Sequence, residues 1–486
     1  MIDIETKNEN KNIINKIVKF SIPSIVSFFI NIFSAIIVTR YYSPSDYGLI
    51  NTFNATSIFL MSIISLGLDS GFIRYYFDLP QGFSKKELFI TSIFVPLITL
   101  IFFSLIIYIF FSKNLSILIF GFDNWYLLFL LFLNIFSSLF IRFFSILFRM
   151  DGDTFTYTVI IIGAQLALKG ALIFAALIKP SLIFSLNSIV ISTLFVIFGF
   201  IISYYKKFIP NQIQFLNNLK NLFDFFKYSL YSWPVPTLLY FNSLATLLII
   251  RNKIGIDAVG VFSSVSVFIG LIGVLQAGFS TFWSGYMYEN FDKKQKQIKK
   301  INDIVLLLTV LLIVGFVIFR DLVYFLIGKN YHETKSYFAI LLIYPVMLIL
   351  TETTSYGISI AKKSGLLLII TFLTILFNLI LTLVLVSKFE ILGASLASAL
   401  SGLFFFSLQT YYGQKYYRSV ENINKVFLTI FYIFIIAFGN LFLNHSTLLL
   451  TIFCIIILAV ILYTYKSVVG ILIKLLINKL KLVNVS

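Results

Sequence analysis

Lys169 lies about ten residues from either end of an apolar run, with Gln165 one helical turn before it. Arg142 falls a turn or two inside another run and shares a helical face with Ser138, Ser145 and Arg149. A charge at the centre of a bilayer costs about 2.5–3.5 kcal/mol on insertion scales, so a cation at that depth persists where it has a use. The chemistry open to it is the holding of an anion where water is scarce. For Lys169 the other reading is a structural pair, with Glu352 as a candidate partner, and for Arg142 and Arg149 it is a reach out to lipid headgroups. Glu352, in Thr351-Glu-Thr-Thr-Ser-Tyr-Gly357, is the one carboxylate well within a run. It could take up a proton or a cation, or neutralise Lys169 or an arginine. Asn31 stands in a stripe with Ser24, Ser27 and Ser34. Small residues in such a stripe serve close helix packing, whereas the size of Asn31 favours a cavity wall. One cysteine, Cys454, and two histidines in separate loops, His332 and His445, leave no expected metal centre or disulfide framework.

Helices must position these groups. Of the 486 residues, 59% are hydrophobic and 12% charged, with a mean hydropathy of +0.98. No water-soluble domain of this size hides so much apolar surface. About fourteen apolar runs of spanning length occur between residues 17 and 465, which predicts an all-α polytopic membrane protein. The polar 1–16 segment lacks the pattern of a cleaved signal and reads as a cytoplasmic N-terminal segment. The net charge of +17 belongs to short segments between runs, so topology explains it better than nucleic acid does. Roughly 27 basic residues fall on one side of the membrane and about nine on the other, which places both termini in the cytoplasm. Trp125, Trp233 and Trp283 all fall at expected span ends and read as an interfacial belt.

An ordered internal repeat divides the chain. Ser21-Ile-Pro23, Arg40 and Asp46-Tyr-Gly48 recur about 211 residues later as Ser232-Trp-Pro234, Arg251 and Asp257-Ala-Val-Gly260. Six spans per repeat, an even number, give both copies one orientation, related by a pseudo-twofold axis along the membrane normal. The expected organisation is an N-lobe at 17–204, a cytoplasmic linker at 205–226 and a C-lobe at 227–411. Two further helices at 426–465 and a basic amphipathic tail at 466–486 complete it. Arg40 and Arg251, with Asp46 and Asp257, then mark matching helix ends, either as a symmetric gate or as ordinary helix caps. The loops leave no room for an extramembrane catalytic domain, so no enzyme activity is expected.

The stretch from Lys19 through Tyr76 resembles the opening of bacterial polysaccharide flippases of the multidrug/oligosaccharidyl-lipid/polysaccharide exporter superfamily. The likeness is carried by Arg40-Tyr-Tyr-Ser-Pro-Ser-Asp-Tyr-Gly48 and Leu66-Gly-Leu-Asp-Ser-Gly-Phe-Ile-Arg74-Tyr-Tyr76. Lys362-Lys-Ser-Gly365 stands where a Gly-Arg-Thr-Lys type of turn is more usual. The resemblance implies two lobes that alternately open to the cytoplasm and to the outside in a bacterial inner membrane. It implies as cargo an undecaprenyl-(pyro)phosphate-linked oligosaccharide of the O-antigen or capsule type. Membrane lipids, a polysaccharide polymerase and glycosyltransferases are the partners it suggests. Lys169, Arg142, Arg149, Gln165 and Asn31 are then candidates to line the cavity, and Arg74 to gate it or touch the headgroup. No cofactor is expected beyond a coupling proton or sodium ion, for which Glu352 is the candidate. A multidrug or cation exporter of the same fold would place acids in its cavity instead. A peptidoglycan-precursor flippase is a nearer alternative.

Overall fold

A computed structural model describes residues 22–23, 25–208 and 222–470. The N-terminal segment 1–16, Ser24, most of the 205–226 linker and most of the 466–486 tail lie outside the described residues. Among those described there are helices and no strands. Eleven helices are long and apolar enough to cross a membrane, or twelve if a bent pair, Lys329–Lys335 with Phe338–Thr354, counts as one span. The helix Ile25–Tyr41 is apolar but shorter. The 53-residue helix Ser364–Tyr416 breaks at Glu390, whose φ of 51° and ψ of −131° are not helical. Its arms fold back on each other: Ser401 Oγ donates to Asn378 Oδ1 at 3.1 Å, and Phe377 stacks on Phe404 at 4.7 Å. The chain is thus a multi-pass membrane protein; among the described residues eleven or twelve helices qualify as spans by length and composition, with the folded-back 364–416 helix counted once, where fourteen spans were expected of the whole chain.

Packing divides the chain into residues 1–267 and 268–486. The first unit begins with α1 (Ile25–Tyr41) and α2 (Pro44–Ser65). Ser43 caps α2 by accepting from Asp46 N at 3.2 Å, and Pro44 fills its first turn, where a missing N–H costs nothing. Two consecutive left-handed residues, Leu66 (φ 50°) and Gly67 (φ 71°), end α2 and turn the chain into α3 (Leu68–Tyr75). A non-glycine residue in that region is costly, and the motif places it beside the residues described below. Next come α4 (Lys85–Ile106), which runs through a π turn into α5 (Ser112–Phe120), and α6 (Trp125–Met150), capped by Asn124. Asn134 Nδ2 donates to Ser57 Oγ at 2.8 Å and pins α6 to α2 inside an apolar interface. Then follow α7 (Thr154–Gln165), α8 (Ala171–Ile178) and α9 (Leu182–Phe208). Helices α10 (Phe223–Ser232), α11 (Pro234–Lys253) and α12 (Ile256–Ser264) pack on α2 and α3 and so join this unit. The repeat boundary at 205–226 is a property of the sequence; the packing boundary falls after α12.

The second unit holds most of α13 (Ser266–Asn290), then α14 (Gln295–Ile318), α15 (Arg320–Leu326), α16 (Phe338–Thr354) and α17 (Tyr356–Ile360). After α18 (Ser364–Tyr416), α19 (Ile423–Phe442) and α20 (Thr447–Thr464) pack on α14. One end of α19 is tied by Lys425 Nζ to Asp303 Oδ2 at 2.5 Å, and the other by Arg320 to Asn440 Oδ1 at 2.8 Å. The interfacial belt is narrower than the sequence suggests. Trp125 is exposed, but Trp283 is fully buried against Met287 and Ile298, and Trp233 faces the interior of the first unit.

Candidate functional site

Arg142 projects from α6 beside the α2–α3 turn. Asp69 Oδ2 accepts from both its Nε, at 3.0 Å, and its Nη2, at 2.5 Å. The side chain of Asp69 is 11% exposed and that of Arg142 45%, so the acid stands at the back and the guanidinium reaches into open space. Asp69 occupies that position because the left-handed turn at Leu66 and Gly67 aims the first turn of α3 at α6. A second bond, from Tyr76 Oη to Asp151 Oδ1, holds the far end of α3 on α6. Arg142 opens on a recess of about 30 Å3, bounded by Ser62 and Ser65 of α2, Trp233, and Thr237 and Tyr240 of α11. Trp233 Nε1 donates to Ser62 O at 2.8 Å, which closes one side. The hydroxyl of Thr237 is buried and has no hydrogen-bond partner among the described residues. A recess of that size holds about one water and nothing bearing a sugar.

The arrangement leaves Arg142 half engaged. One edge of the guanidinium is spent on Asp69, and Nη1 makes no hydrogen bond or ion pair among the described residues. A guanidinium oriented from behind and open in front suits a phosphate oxygen, because planar two-point bonding is its particular strength. Arg149, two turns on, is exposed at the end of α6. Arg74 makes an exposed pair with Asp78 at 3.5 Å.

Lys169 sits in a π turn, Leu166–Gly170, between α7 and α8. Such turns widen the helix and free a backbone carbonyl, and here Ser192 Oγ of α9 donates to Ala167 O at 2.6 Å. The widened turn also alters the four-residue alignment of Gln165 with Lys169. Gln165 Oε1 is buried without a hydrogen-bond partner among the described residues, and no ion pair of Lys169 occurs among them. Asn31 donates back to Ser27 O on its own helix at 2.9 Å.

Glu352, in the second unit, is met by an amide. Gln276 Nε2 of α13 donates to its Oε1 at 2.7 Å. The expected gate residues are not joined to one another by ion pairs among the described residues. Asp46 serves the cap of α2, and Arg251 bonds Asn252 Oδ1 at 2.9 Å and Ile117 O at 3.4 Å. What meets at that end is glycine. A Cβ on Gly48 would lie 2.5 Å from Ile256 O, and one on Gly260 would lie 1.9 Å from Pro44 O. Both glycines belong to the internal repeat, and Gly48 also ends the Arg40–Gly48 motif. No group of three metal-ligating side chains forms among the described residues.

No protein-family model matches the sequence, and no curated protein is recognisably similar to it. Solved structures are similar in fold. A lipid II flippase, MurJ, in an inward closed conformation, superposes with a TM-score of 0.69 at 16% identity, over 93% of this chain and all of that one. An inward-facing multidrug resistance transporter of the MATE family, in the MOP superfamily, gives 0.62 at 15% over 82% and 97%. A MOP-superfamily transporter from Pyrococcus furiosus, noted for the reversed polarity of its binding pocket, gives 0.54 at 16% over 82% and 95%. The fold is therefore that of MOP-superfamily transporters and flippases.

Proposed function

We propose that the protein is a flippase of a bacterial inner membrane, with both termini in the cytoplasm. It carries an undecaprenyl-(pyro)phosphate-linked oligosaccharide repeat unit from the cytoplasmic to the outer leaflet for cell-surface polysaccharide synthesis. The observation that carries this reading is Arg142, a guanidinium on the spanning helix α6 that Asp69 orients from one edge while the rest faces a largely apolar recess into which Ser62, Ser65 and Thr237 also turn. A cation so placed draws in the phosphate of a lipid whose tail stays in hydrocarbon, while the sugars need a hydrated path across roughly 30 Å. Lys169 and Arg149 add positive charge along that path. Alternating access supplies it, the lobes rocking about the repeat axis. Glu352, held by Gln276, is the residue through which a proton or sodium gradient would act. Glycosyltransferases and a polymerase would work on either side of the step.

A second reading, a peptidoglycan-precursor flippase, is favoured by the likeness to a lipid II flippase. Depletion in the native bacterium separates the two. On the first reading, lipid-linked repeat units accumulate at the inner leaflet and surface polysaccharide is lost while the wall continues to grow. Wall arrest with intact surface polysaccharide would establish the second reading in its place.

A further inference from the structure

We infer that the lipid-facing groove between α4 and α9 is a binding site for an anionic phospholipid, with one acyl chain in the groove and the phosphate at Lys86. The groove holds about 360 Å3 and lies wholly within the first unit. Ile90, Ile93, Phe94 and Leu97 of α4 form one wall, at the three- and four-residue spacing that keeps them on one helical face. Phe140 and Phe144 of α6 make the floor, and Ile201 and Tyr205 of α9 the far wall. The Tyr205 hydroxyl is the only polar side-chain atom of the lining, so the groove offers a sugar no bonding partners along its length and suits a hydrocarbon chain. Arg142, two residues from each floor phenylalanine, projects from the opposite side of α6, so this groove is separate from the recess described above.

Polarity is confined to one end of the groove. There α4 begins and α6 and α9 end, and Lys86, half-buried, stands one turn before Ile90 on the groove-facing stripe, with Tyr205 at the same end of α9. From Lys86 to Leu97 the helix rises about 16 Å, about half of a ~30 Å hydrocarbon core, so the groove takes a chain from one leaflet and does not reach the other. The neighbouring acids are engaged. Glu87 accepts from Ser84 N and Oγ at 2.8 Å each, Asp78 pairs with Arg74, and Asp151 accepts from Tyr76. Lys85 lies over the rings of Tyr76, at 4.3 Å, and Phe77, at 5.4 Å. Two lysines in the first turn of α4 stand at the positive end of the helix dipole, an arrangement that an anion relieves. Arg149, exposed at the end of α6, adds charge at the same face. The floor is continuous with the Arg142 site: Phe89 stacks on Phe144 at 6.0 Å and meets Phe72 of α3, three residues from Asp69, edge-on at 5.7 Å. A chain in the groove therefore buttresses α3 and α6 from the side opposite Arg142. The inference stands whatever cargo the protein carries.

The test uses the full chain in phosphatidylcholine vesicles that carry a trace of phosphatidylglycerol with a photoactivatable diazirine in one acyl chain, or of phosphatidylcholine with the same chain. Crosslinked peptides are mapped by mass spectrometry. Phosphatidylglycerol should label the groove peptides, at residues 90–97, 140–144 and 201–205, about fivefold or more over phosphatidylcholine, the weight of one lysine at a lipid surface. Lys86→Gln should remove that preference. Lys293→Gln, the same loss of charge in the second unit, should keep it. Ile90→Trp, which fills the groove, should lower labelling of these peptides by both lipids; where it does not fold, the two lysine variants decide alone. Equal labelling by the two lipids in the parent, or a preference that Lys86→Gln leaves intact, overturns the site and leaves a groove that bulk bilayer merely solvates. Labelling that an excess of undecaprenyl phosphate abolishes, and an equal excess of unlabelled phosphatidylglycerol does not, assigns the groove to the cargo's tail and overturns the phospholipid.

Discussion

Arg142 and Arg320 are both guanidinium groups carried on helices, and they are held in opposite ways. Arg320 is 1% exposed at the start of α15. Its Nη1 donates to Asn440 Oδ1 at 2.8 Å and Asn444 Oδ1 at 3.1 Å, and its Nε to Asp321 at 3.3 Å. Asn440 in turn donates to Ser336 O at 2.7 Å, which ties the guanidinium into the backbone, and Nη2 of Arg320 is buried with no hydrogen-bond partner among the described residues and so out of reach of any ligand. Arg142 has one acid and an open side. A charge surrounded by its own chain makes structure, because losing any partner strands the others without water. A charge met on one edge only is available to a ligand, and the difference separates a clamp from a site.

The largest effect expected is at the clamp. Arg320→Met should lower stability by about 1–3 kcal/mol, since Asn440 and Asn444 lose the donor to their amide oxygens; thermal unfolding in detergent measures it. A variant as stable as the parent would break the comparison. Next comes the site. Arg142→Gln together with Asp69→Asn removes both charges and keeps a hydrogen bond, so unfolding should shift little while export falls about tenfold or more. Arg142→Lys should also lose export, because an ammonium lacks the two-point geometry. Lys169→Ala should abolish export with the protein still in the membrane, and retained export with both cations replaced would remove them from the mechanism.

Smaller still is Glu352→Gln, which can keep an amide contact with Gln276 and loses the titratable proton. Turnover driven by an ion gradient should slow more than substrate binding weakens, and an unchanged dependence on the gradient would refute coupling. The smallest effect sharpens the clamp. Partial burial tends to raise the Asp321 carboxyl, but Lys335 at 2.9 Å and Arg320 outweigh it and hold it below its usual range. A depressed carboxyl contributes stability above its unfolded pKa and loses it as pH falls through the folded one. Acid unfolding should therefore begin at a higher pH in Asp321→Asn than in the parent, and the two should converge at the lowest pH.

Much of the fold was legible in the residues. Long apolar runs with sparse charge predict helices in a membrane, because a backbone in lipid must satisfy its hydrogen bonds within the segment. Arg142 could be singled out because a charge within an apolar run is conspicuous. Its partner could not: Asp69 lies 73 residues away, on a helix aimed by two left-handed residues. Glu352 was conspicuous for the same reason, yet it is met by the amide of Gln276 rather than by a cation, and nothing local to either residue specifies that bond. The Lys169 face was read at helical spacing, and the π turn changed it.

The sequence by itself determined that this chain is helical and lies in a membrane, and which side chains are too costly there to be idle. Those are properties of single residues and short periods against a solvent. Which groups meet was decided only by the tertiary structure. Asp69 on Arg142, Gly48 on Gly260 and Gly71 on Ser229 are contacts between segments far apart in the chain, set by how helices approach and turn. A glycine in a helix carries no sign of its partner, because its role there is the room that it leaves.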